Sequence, residues 1–552
     1  MLRTFVRILA WIFGVAILLL LLLLVYIRLV SKVDPPTATS GAMGNMSVSQ
    51  PVKGLFVLGN NWFRKSESGL YELYVEGEPY ERGLANGKLT EDLVRYQEQV
   101  FTDQIHRLVS NEFYLETLKF FVGWFNRDLP DNVTDEYKQE ILGVSQVAST
   151  EFNDIAQPYQ RILNYHAAHD IGHALQNMSL VGCTSFATWG DKSEDSTLIV
   201  ARNFDFYVGD DFARDKIVAF YRPSQGYKFM MVTFGGMTGV LSGMNDQGLT
   251  VTINAAKSDI PPASATPVSL VAREILQYAS TIKEAYSIAQ KRKMFVAESF
   301  LIGSAKEGKA SLIEKTPEAI DFFESSENYI VSTNHFQGDT LGNTQLNIDH
   351  VKTSASKYRF DRVHELLDGQ ERNSVSNSVK ILRNQLGQGD KDIGLGNEKA
   401  INQLVAHHAI VFQPERQLVW ISTGPWQLGK FVCYDLKKVF SYKPKDNEEI
   451  YERDKEIPAD SFLLDPAFRE YVKFNKFRFP FNPKTGLEPD SVVKWNPNSY
   501  HAYMLAGDYC KAHKQWDKAI KWYEMGLTKE VATEQEREYM KKNVQHCKKR
   551  IQ

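Results

Sequence analysis

The feature that most constrains the fold is a change in hydrophobic periodicity at Cys183. Before this residue, segments such as LTEDLVRYQEQVFTDQIHRLV carry apolar residues at three- and four-residue spacing, which is typical of amphipathic helices. After it, TLIVARNFDF and GLTVTINA alternate apolar and polar residues, which is typical of strands. Three helical patterns, PVSLVAREILQYAS, IKEAYSIAQKRK and KYRFDRVHELL, interrupt the strands. The sequence therefore predicts an α+β fold in which sheets are layered under helices.

The N-terminus carries a second strong signal. From Ile8 to Ile27 the chain has 20 residues without a charge, and as a helix they would span roughly 30 Å, the thickness of the hydrocarbon core. A cleaved signal peptide has a shorter apolar region of roughly 7–15 residues. We therefore predict a single transmembrane anchor, with the remaining chain on the non-cytoplasmic side (periplasmic, lumenal or extracellular). A cleaved signal stays open as an alternative, because the small residues Ala38 and Ser40 follow.

The domain organisation follows from changes in composition along the chain. Polar, Pro- and Gly-rich stretches predict linkers, and the last sixty residues have large and small residues spaced as in one tetratricopeptide helical hairpin. A single unit of this kind is normally too short to be stable alone, so we expect it to pack on the catalytic domain or to bind a protein partner. The predicted segments are a cytoplasmic stub and anchor (1–33), a linker (34–54), a helical prosegment (55–182), a catalytic domain (183–445), a connector (446–490) and tetratricopeptide-like helices (491–552).

Charge and cysteine content exclude several classes of function. The chain has 64 basic and 67 acidic residues, and this balance does not predict a nucleic-acid-binding face. Its four cysteines are Cys183, Cys433, Cys510 and Cys547, and none forms a close pair that would indicate a structural zinc site or a disulfide framework. We expect no cofactor and no metal.

The residues around Cys183 predict nucleophilic chemistry. Gly182 precedes the cysteine and permits a close approach of other groups to the backbone. After a turn, the next strand brings Arg202, Asn203 and Asp205 towards the same region. Because side chains alternate along a strand, Asn203 and Asp205 should share one face and Arg202 should take the other.

The blocks CTSFATWG and VARNFDF resemble the signature of the cysteine N-terminal-nucleophile hydrolases. They are similar to the acyl-coenzyme A:6-aminopenicillanic acid acyltransferase family, which is related to acid ceramidase, N-acylethanolamine acid amidase and choloylglycine hydrolase. The segments GMNDQGLTVTINA, IVSTNHF and SASKYRFDR extend the resemblance in the same order, over about residues 180–440. The resemblance implies a four-layer αββα fold and a catalytic set made of Cys183, Arg202, Asp205, Asn254, Asn334 and Arg359, with Arg362 as an alternative to Arg359.

These residue types suit acyl chemistry. A guanidinium at Arg202 favours the thiolate form of Cys183, which is the nucleophile. Once Cys183 is the first residue of its chain, its α-amine, with an ordinary pKa of about 8, provides a local base. Asp205 is expected to hold that amine. The Asn334 side chain and a backbone N–H near Asn254 are expected to stabilise the oxyanion.

The same groups predict maturation by self-cleavage between Gly182 and Cys183. The products would be an anchored chain, 1–182, and a catalytic chain, 183–552, which stay associated. We expect a hydrolase of a linear, lipid-like N-acyl amide. Acyl transfer to an amine and a catalytically silent, membrane-tethered binding scaffold are the alternatives.

Other side chains are weaker candidates. His335, Asn203 and Trp189 are possible lining residues of the substrate pocket. His166, His169 and His173 share a helix face, which resembles a metal site, but ordinary hydrogen bonds within a helix over the active site are the simpler interpretation.

Overall fold

The structure is a computed structural model that describes residues 2–39, 42–109, 111–175, 182–206, 209–257, 259, 263–405, 407–444, 446, 448–478 and 486–552. Its strands form two sheets. In chain order the strands are β1 (Ser49–Val52), β2 (Leu55–Leu58), β3 (Asn61–Lys65), β4 (Tyr71–Gly77), β5 (Thr184–Thr188), β6 (Ile199–Phe204), β7 (Ile217–Pro223), β8 (Phe229–Thr233), β9 (Ser242–Asn245), β10 (Leu249–Ala255), β11 (Glu298–Ser304), β12 (Lys309–Lys315), β13 (Ile320–Phe323), β14 (Tyr329–Ser332), β15 (His408–Gln413), β16 (Leu418–Ser422) and β17 (Phe431–Asp435).

The helices lie before, between and after these strands. In chain order they are α1 (Leu2–Val30), α2 (Pro79–Leu89), α3 (Glu91–Leu108), α4 (Glu112–Phe125), α5 (Asp135–Ser145), α6 (Pro158–Leu175), α7 (Val268–Tyr278), α8 (Ile282–Lys291), α9 (Gln345–Thr353), α10 (Ser356–Asp368), α11 (Val375–Leu382), α12 (Leu436–Val439), α13 (Pro466–Arg478), α14 (Pro489–Trp495), α15 (Tyr500–Ala512), α16 (Trp516–Leu527) and α17 (Glu534–Ile551).

The larger sheet has the strand order β1-β2-β3-β4-β7-β8-β9-β10-β11-β12-β13, and the smaller one has the order β14-β5-β6-β15-β16-β17. Every pair of neighbouring strands is antiparallel except β4 and β7, which are parallel and pair Tyr71 with Ile217 and Gly77 with Pro223. This parallel ladder joins the chain before the predicted cut to the chain after it.

The two sheets pack face to face. One apolar cluster lies between them and takes Phe220 and Leu301 from the larger sheet, and Val200 and Phe412 from the smaller one. A second cluster joins the outer face of the larger sheet to α2, α5, α6, α7 and α8. A third joins the outer face of the smaller sheet to α10 and α11. The layers are therefore helices, sheet, sheet and helices, which confirms the predicted α+β class.

The prediction that residues 55–182 are mostly helical is wrong for its first part. Residues 55–77 form β2, β3 and β4, which extend the larger sheet. A local signal was present, because Gly59, with φ +60°, lies in a short turn between two apolar runs. Cross-strand stacking of Trp62 on Tyr74, with ring centroids 6.0 Å apart, and the distant pairing with β7 complete these strands.

Two predicted connecting segments are also more ordered than expected. The linker 34–54 contains β1, which pairs with β2. The connector 446–490 forms β-bridges to β17 through Tyr451 and to the start of the same strand through Ile457. It also contains α13, whose Tyr471 and Phe474 are fully buried. The apolar side chains of this charged segment are widely spaced, so the sequence shows no helical or strand periodicity there. They nevertheless pack into the core and hold the segment against the rest of the protein.

The N-terminal helix α1 contains an apolar stretch, Thr4–Val30, with a mean hydropathy of 3.2 that is long enough to cross a membrane. None of this stretch is buried against the rest of the protein. By length and composition it is suited to a membrane anchor or a signal sequence.

At the other end of the chain, α15, α16 and α17 pack together on a shared core. Gly507 faces the ring of Tyr523, where an added Cβ would lie 2.6 Å from a ring carbon. The hairpin docks on the loop before β15, because the Glu398 carboxylate accepts hydrogen bonds from Tyr500, at 2.9 Å, and from His501, at 2.7 Å. Packing on the catalytic part of the chain therefore agrees with expectation, while the tetratricopeptide likeness stays a prediction.

A buried ion network ties the two sides of the predicted cut together. Glu140 on α5 lies 2.5 Å from the Arg82 guanidinium of α2 and 3.0 Å from the Arg273 guanidinium of α7. All three side chains are fully buried. Two cations are thus held around one carboxylate at the junction of the N-terminal helices and the larger sheet.

Candidate active site

Cys183 lies directly before β5 and is almost completely buried. Its Sγ is 3.7 Å from an Nη atom of Arg202, which lies on the neighbouring strand β6. The backbone N–H of Asp205 also donates to the thiol. The antiparallel pairing of β5 with β6, in which Thr184 faces Asn203, produces this arrangement. The structure therefore brings together the three residues that the sequence pattern put first.

Several acceptors fix the Arg202 guanidinium. It donates to the carbonyl oxygen of Leu241, at 3.0 Å, to the carbonyl oxygen of Ile253 and to the Ser242 hydroxyl. Its central carbon also lies 4.4 Å from the centre of the Phe204 ring, in a cation–π contact. This rigid position keeps a positive charge beside the thiol.

Two histidines at the start of β15, His407 and His408, extend this network. Ser242 Oγ, which accepts from Arg202, lies 2.9 Å from Nε2 of His408. The Nδ1 atoms of His408 and His407 are 3.0 Å apart. Burial lowers the pKa of His407 to about 3 and that of His408 well below its usual value, so both rings are neutral. The chain of hydrogen bonds therefore orients Arg202 without adding a competing charge.

The thiol is protonated in the uncut chain. Burial raises the pKa of Cys183, and this effect outweighs the lowering caused by Arg202 and by the hydrogen bond from the Asp205 backbone. Arg202 thus acts in the expected direction but does not by itself produce a thiolate. A proton acceptor is needed, which agrees with the expected role of a free α-amine.

The carbonyl group before Cys183 is held by a residue that the sequence analysis missed. Gln403 Nε2 donates to the Gly182 carbonyl oxygen at 2.7 Å, and the Gly182 N–H donates to the Asp205 carbonyl oxygen at 3.0 Å. A carbonyl oxygen can only accept, so the orientation of the Gln403 amide is fixed. The peptide bond at the predicted cut is therefore anchored on both sides.

The Asp205 carboxyl lies beside the same amide. Its oxygens are 3.4 Å from Gln403 Nε2 and 3.3 Å from Gln427 Nε2. Burial raises the pKa of Asp205 to about 8, against the lowering effects of Arg359 and Arg202. In the uncut chain this group is thus neutral at neutral pH, and a new ammonium at Cys183 would be a strong partner for its charged form.

Asn334 and Arg359 form a hydrogen-bonded pair that the sequence analysis did not predict. Arg359 donates to Asn334 Oδ1 at 2.6 Å, and Asn334 Nδ2 donates to the Ala255 carbonyl oxygen at 2.9 Å. The side-chain amide is thereby oriented and engaged. The donor to the Gly182 carbonyl oxygen is Gln403, whereas the role of Asn334 as an oxyanion donor stays a prediction. The alternative Arg362 pairs instead with Asp390 and with Glu365, the latter at 2.9 Å.

Asn254 joins the two sheets. Its Oδ1 accepts from the Ser185 hydroxyl at 3.0 Å, and its Nδ2 donates to the carbonyl and the hydroxyl of Ser332, both at 3.1 Å. Ser185 lies in β5, two positions after Cys183, so Asn254 stabilises the strand that follows the nucleophile. Stabilisation of the oxyanion by a backbone N–H near Asn254 stays a prediction.

The three predicted pocket residues lie elsewhere. Asn203 Nδ2 donates to the carbonyl oxygens of Leu382, at 2.8 Å, and Ile401, at 3.0 Å, on the face of β6 opposite to Arg202. Trp189 follows the far end of β5. The His335 ring contacts the Ser356 hydroxyl at 2.8 Å, and the same hydroxyl accepts from the Asn334 backbone N–H. These contacts give Asn203 and Trp189 no support as pocket residues, and they make His335 a neighbour that supports Asn334.

The possible metal site on α6 is not supported at its first residue. His166 Nε2 accepts from the Thr238 backbone N–H at 2.9 Å, and its Nδ1 is 2.9 Å from the Ile162 carbonyl oxygen. Both nitrogens are therefore occupied. The side chains of His169 and His173 lie outside the described part of the structure.

Glu298 is a second buried group that the sequence analysis missed. It is the first residue of β11, pairs with Ala255 across the ladder, and neither of its carboxyl oxygens has a hydrogen-bond partner among the described residues. Burial, together with the charge of Asp170, raises its pKa well above the ordinary value, although Arg202 opposes the shift. A neutral acid therefore lies close to the Arg202 guanidinium and the Cys183 thiol.

An apolar cleft lies beside Arg202, with about 640 Å³ of empty space including its open mouth. Phe101 and Tyr165 come from helices before the predicted cut, while Phe206, Phe212 and Phe234 come from loops after it. Phe204, which stacks on Arg202, also lines the cleft. The cleft is therefore aromatic, is built by both parts of the chain, and borders Arg202 through Phe204.

Comparison with known proteins gives curated relatives of low identity. An uncharacterised protein of Archaeoglobus fulgidus is 22% identical over 255 residues, which cover 43% of this chain and 42% of the relative. Protein dcd1B of Dictyostelium discoideum is 21% identical over 271 residues, which cover 46% of this chain and 51% of the relative. The chain thus spans about half the length of the curated relatives it matches.

Among solved structures, the chain is similar to a Caenorhabditis elegans N-acylethanolamine-hydrolyzing acid amidase ortholog, with 17% identity, a TM-score of 0.31 and coverage of 42% of this chain and 93% of that one. It is also similar to the conjugated bile acid hydrolase of Clostridium perfringens, with 14% identity, a TM-score of 0.33 and coverage of 49% and 96%. Residues 192–424 match the model of the acyl-coenzyme A:6-aminopenicillanic acid acyl-transferase family. The match begins nine residues after Cys183 and confirms the resemblance read from the motifs. Over these residues, which make up less than half of the chain, the protein is similar to the acyl-coenzyme A:6-aminopenicillanic acid acyl-transferase family.

Proposed function

We propose that this protein is an amide hydrolase that cuts its own chain between Gly182 and Cys183 and then uses Cys183 as an N-terminal nucleophile. One observation carries the proposal. The Cys183 thiol lies beside the Arg202 guanidinium, and the preceding carbonyl accepts a hydrogen bond from Gln403 at 2.7 Å. A nucleophile, a cation and a polarised carbonyl are thus assembled around one peptide bond.

Self-cleavage would begin when Cys183 Sγ attacks the Gly182 carbonyl carbon. The thiol proton passes to the peptide nitrogen, which leaves as the α-amine of Cys183, and a thioester joins Gly182 to Sγ. The Gln403 amide stabilises the oxyanion during this step, since it already donates to that oxygen. Water then hydrolyses the thioester, giving a carboxylate at Gly182 and a free thiol and amine at Cys183.

Turnover would use the new amine as the base. It accepts the thiol proton, and the thiolate attacks the carbonyl carbon of the substrate amide. The leaving amine takes the proton and departs, and the acyl group stays on Cys183 as a thioester. Water resolves this thioester, releasing a carboxylic acid. Asp205, which lies at the same point, holds the ammonium form of the α-amine through its carboxylate.

A linear N-acyl amide with an apolar acyl group is the substrate class that fits best. The aromatic cleft beside Arg202 would take the acyl chain. The exposed helix α1 would anchor the protein in a membrane as a single-pass protein, with the catalytic part on the non-cytoplasmic side. The β4–β7 ladder and the Glu140 network would keep chains 1–182 and 183–552 associated after cleavage.

Acyl transfer to an amine is the second candidate, because the matching family model is that of an acyl-transferase. The two reactions share the acyl-thioester and differ only in what attacks it. An acyl-enzyme assay with an added primary amine separates them. Formation of an N-acyl product in place of free acid would favour transfer.

The decisive experiment is to determine the N-terminal sequence and the masses of the purified full-length protein. We expect a chain that begins CTSFATWG and a second chain that ends at Gly182. The Cys183→Ala variant should remain one chain, whereas the Cys433→Ala variant, which alters another buried cysteine, should still be cut. Two fragments from the Cys183→Ala variant would overturn the mechanism.

A further inference from the structure

Helix α4 presents an aromatic face to solvent. Phe113 is 83% exposed, Tyr114 56%, Phe120 41% and Phe121 42%. At 3.6 residues per turn these four positions fall within an arc of about 120° around the helix axis. The exposed Thr117 lies among these four aromatic side chains. A cluster of exposed aromatic side chains on one side of a helix is uncommon on a soluble protein and indicates a binding face.

The rest of α4 is already packed or polar. Leu115 points away from the exposed arc and is buried. Phe125, at the edge of the arc, is also buried, and its ring lies 5.9 Å from that of Phe295. Glu116 and Lys119 also lie outside the arc and form an ion pair with each other at 2.8 Å. The helix is therefore held in place by its inner side, and Phe121 of the arc stacks on the buried Phe125 with ring centroids 5.9 Å apart.

The anchor helix leaves the body directly beside α4. A Cβ added to Gly123, near the end of α4, would lie 2.9 Å from the Cβ of Ser31, the residue after α1. The Ser31 carbonyl oxygen accepts a hydrogen bond from Gln160 of α6 at 2.6 Å, and Val33 is buried. The point at which the apolar stretch ends is thus fixed against α4 and α6.

We propose that α4 lies in the interface of the membrane that α1 spans, with its aromatic arc among the lipid headgroups and the first methylene groups. The proposal rests on the anchor role of α1 in the proposed function. Phe120 and Phe121 are within one turn of Gly123, so they lie close to the level at which α1 enters the bilayer. Amphipathic helices with aromatic residues on one face bind at this depth.

This position brings the cleft close to the lipid. Gln160, which holds the end of α1, is five and six residues before Tyr165 and His166 on α6, and both of these line the cleft. At 1.5 Å per residue the separation along the helix is about 8 Å. An acyl chain leaving the bilayer would have only a short path to the aromatic cavity.

The test uses the full-length protein in phosphatidylcholine vesicles, with p-benzoylphenylalanine in place of Phe121 in one sample and Phe113 in another. The probe keeps the aromatic ring, so folding is preserved. Leu464 is the matched control site, because it is 81% exposed and lies in the C-terminal part of the chain. On illumination we expect the lipid adduct at positions 121 and 113 to be at least tenfold more abundant than at position 464.

Equal adduct levels at the three sites in vesicle-bound protein would overturn the proposal. Cross-linking of position 121 to a second copy of the chain in place of lipid would also overturn it and would identify a dimer face. Flotation of the vesicles separates this failure from that of the anchor, since a chain that does not float has no membrane anchor. Self-cleavage at Cys183, followed in the same samples, tests the amide chemistry independently.

Discussion

The side-chain amide of Gln403 donates to the carbonyl oxygen of Gly182 across 2.7 Å. The absence of a side chain at Gly182 makes this contact possible, because an added Cβ would lie 2.1 Å from Gln403 Nε2. Glycine thus permits the close approach of a hydrogen-bond donor to the peptide bond at the proposed cleavage site.

Replacing Gln403 by leucine should slow self-cleavage by about 10²- to 10³-fold, the usual cost of removing one oxyanion donor. Cell-free synthesis followed by samples taken over hours and run on a denaturing gel measures the rate. Gln413→Leu is the matched control, because Gln413 is buried and donates to Asp195 and Thr197 instead. Equal rates for the two variants would contradict the role of Gln403.

Gly182→Ala should slow self-cleavage to a similar extent, since the new methyl group displaces the Gln403 amide. The two substitutions remove the same hydrogen bond, so the double variant Gly182→Ala with Gln403→Leu should be no slower than the slower single variant. The same gel assay gives all three rates. Multiplication of the two effects in the double variant would show that they act separately.

The difference between predicted and missed site residues is one of distance along the chain. Arg202 and Asp205 lie on the strand next to Cys183 in sequence, so a short block of residues was sufficient to predict them. Gln403 is 221 residues from Gly182, and its loop is positioned by tertiary contacts such as those of Glu398 with the C-terminal helices. Hydrophobic periodicity reflects local structure only, so it cannot predict a contact between residues so far apart in the chain.

Stability of the uncut protein should depend on the protonation of Asp205. Burial raises its pKa to about 8, while in the unfolded chain it is about 3.9. At a pH between these two pKa values, Asp205 is protonated in the folded state and ionised in the unfolded state. The free energy of unfolding should therefore fall as the pH rises from about 4 to about 8, with a slope of up to about 1.4 kcal/mol per pH unit from this group.

The comparison of Cys183→Ala with the double variant Cys183→Ala, Asp205→Asn isolates this contribution, since neither protein is expected to be cut. Urea unfolding in detergent at pH 5, 6, 7 and 8 gives the two slopes. The double variant should lose less stability over this range. Identical slopes would mean that Asp205 is already ionised in the folded state.

For the fold, as for the site, the sequence predicts local features but not contacts between distant segments of the chain. The alternation of β6 and β10 and the helical spacing of α3 are local, and the sequence predicts them correctly. The placement of β1 to β4 at one end of the larger sheet depends on pairing between Tyr71 and Ile217, which are far apart in the chain. The sequence therefore predicts a helical segment over residues 55–182, although its first part forms the short strands β2, β3 and β4.

Glu140→Gln should destabilise the protein and weaken the association of its two chains after cleavage. The substitution leaves the buried guanidinium groups of Arg82 and Arg273 without their shared carboxylate, and such a change costs about 3–5 kcal/mol. Urea unfolding of the uncut Cys183→Ala protein measures the first effect, and co-purification of fragments 1–182 and 183–552 in detergent measures the second. Glu116→Gln is the control, because the exposed pair of Glu116 with Lys119 should contribute less than about 1 kcal/mol. Equal stability of the two variants would show that the buried network does not hold the chains together.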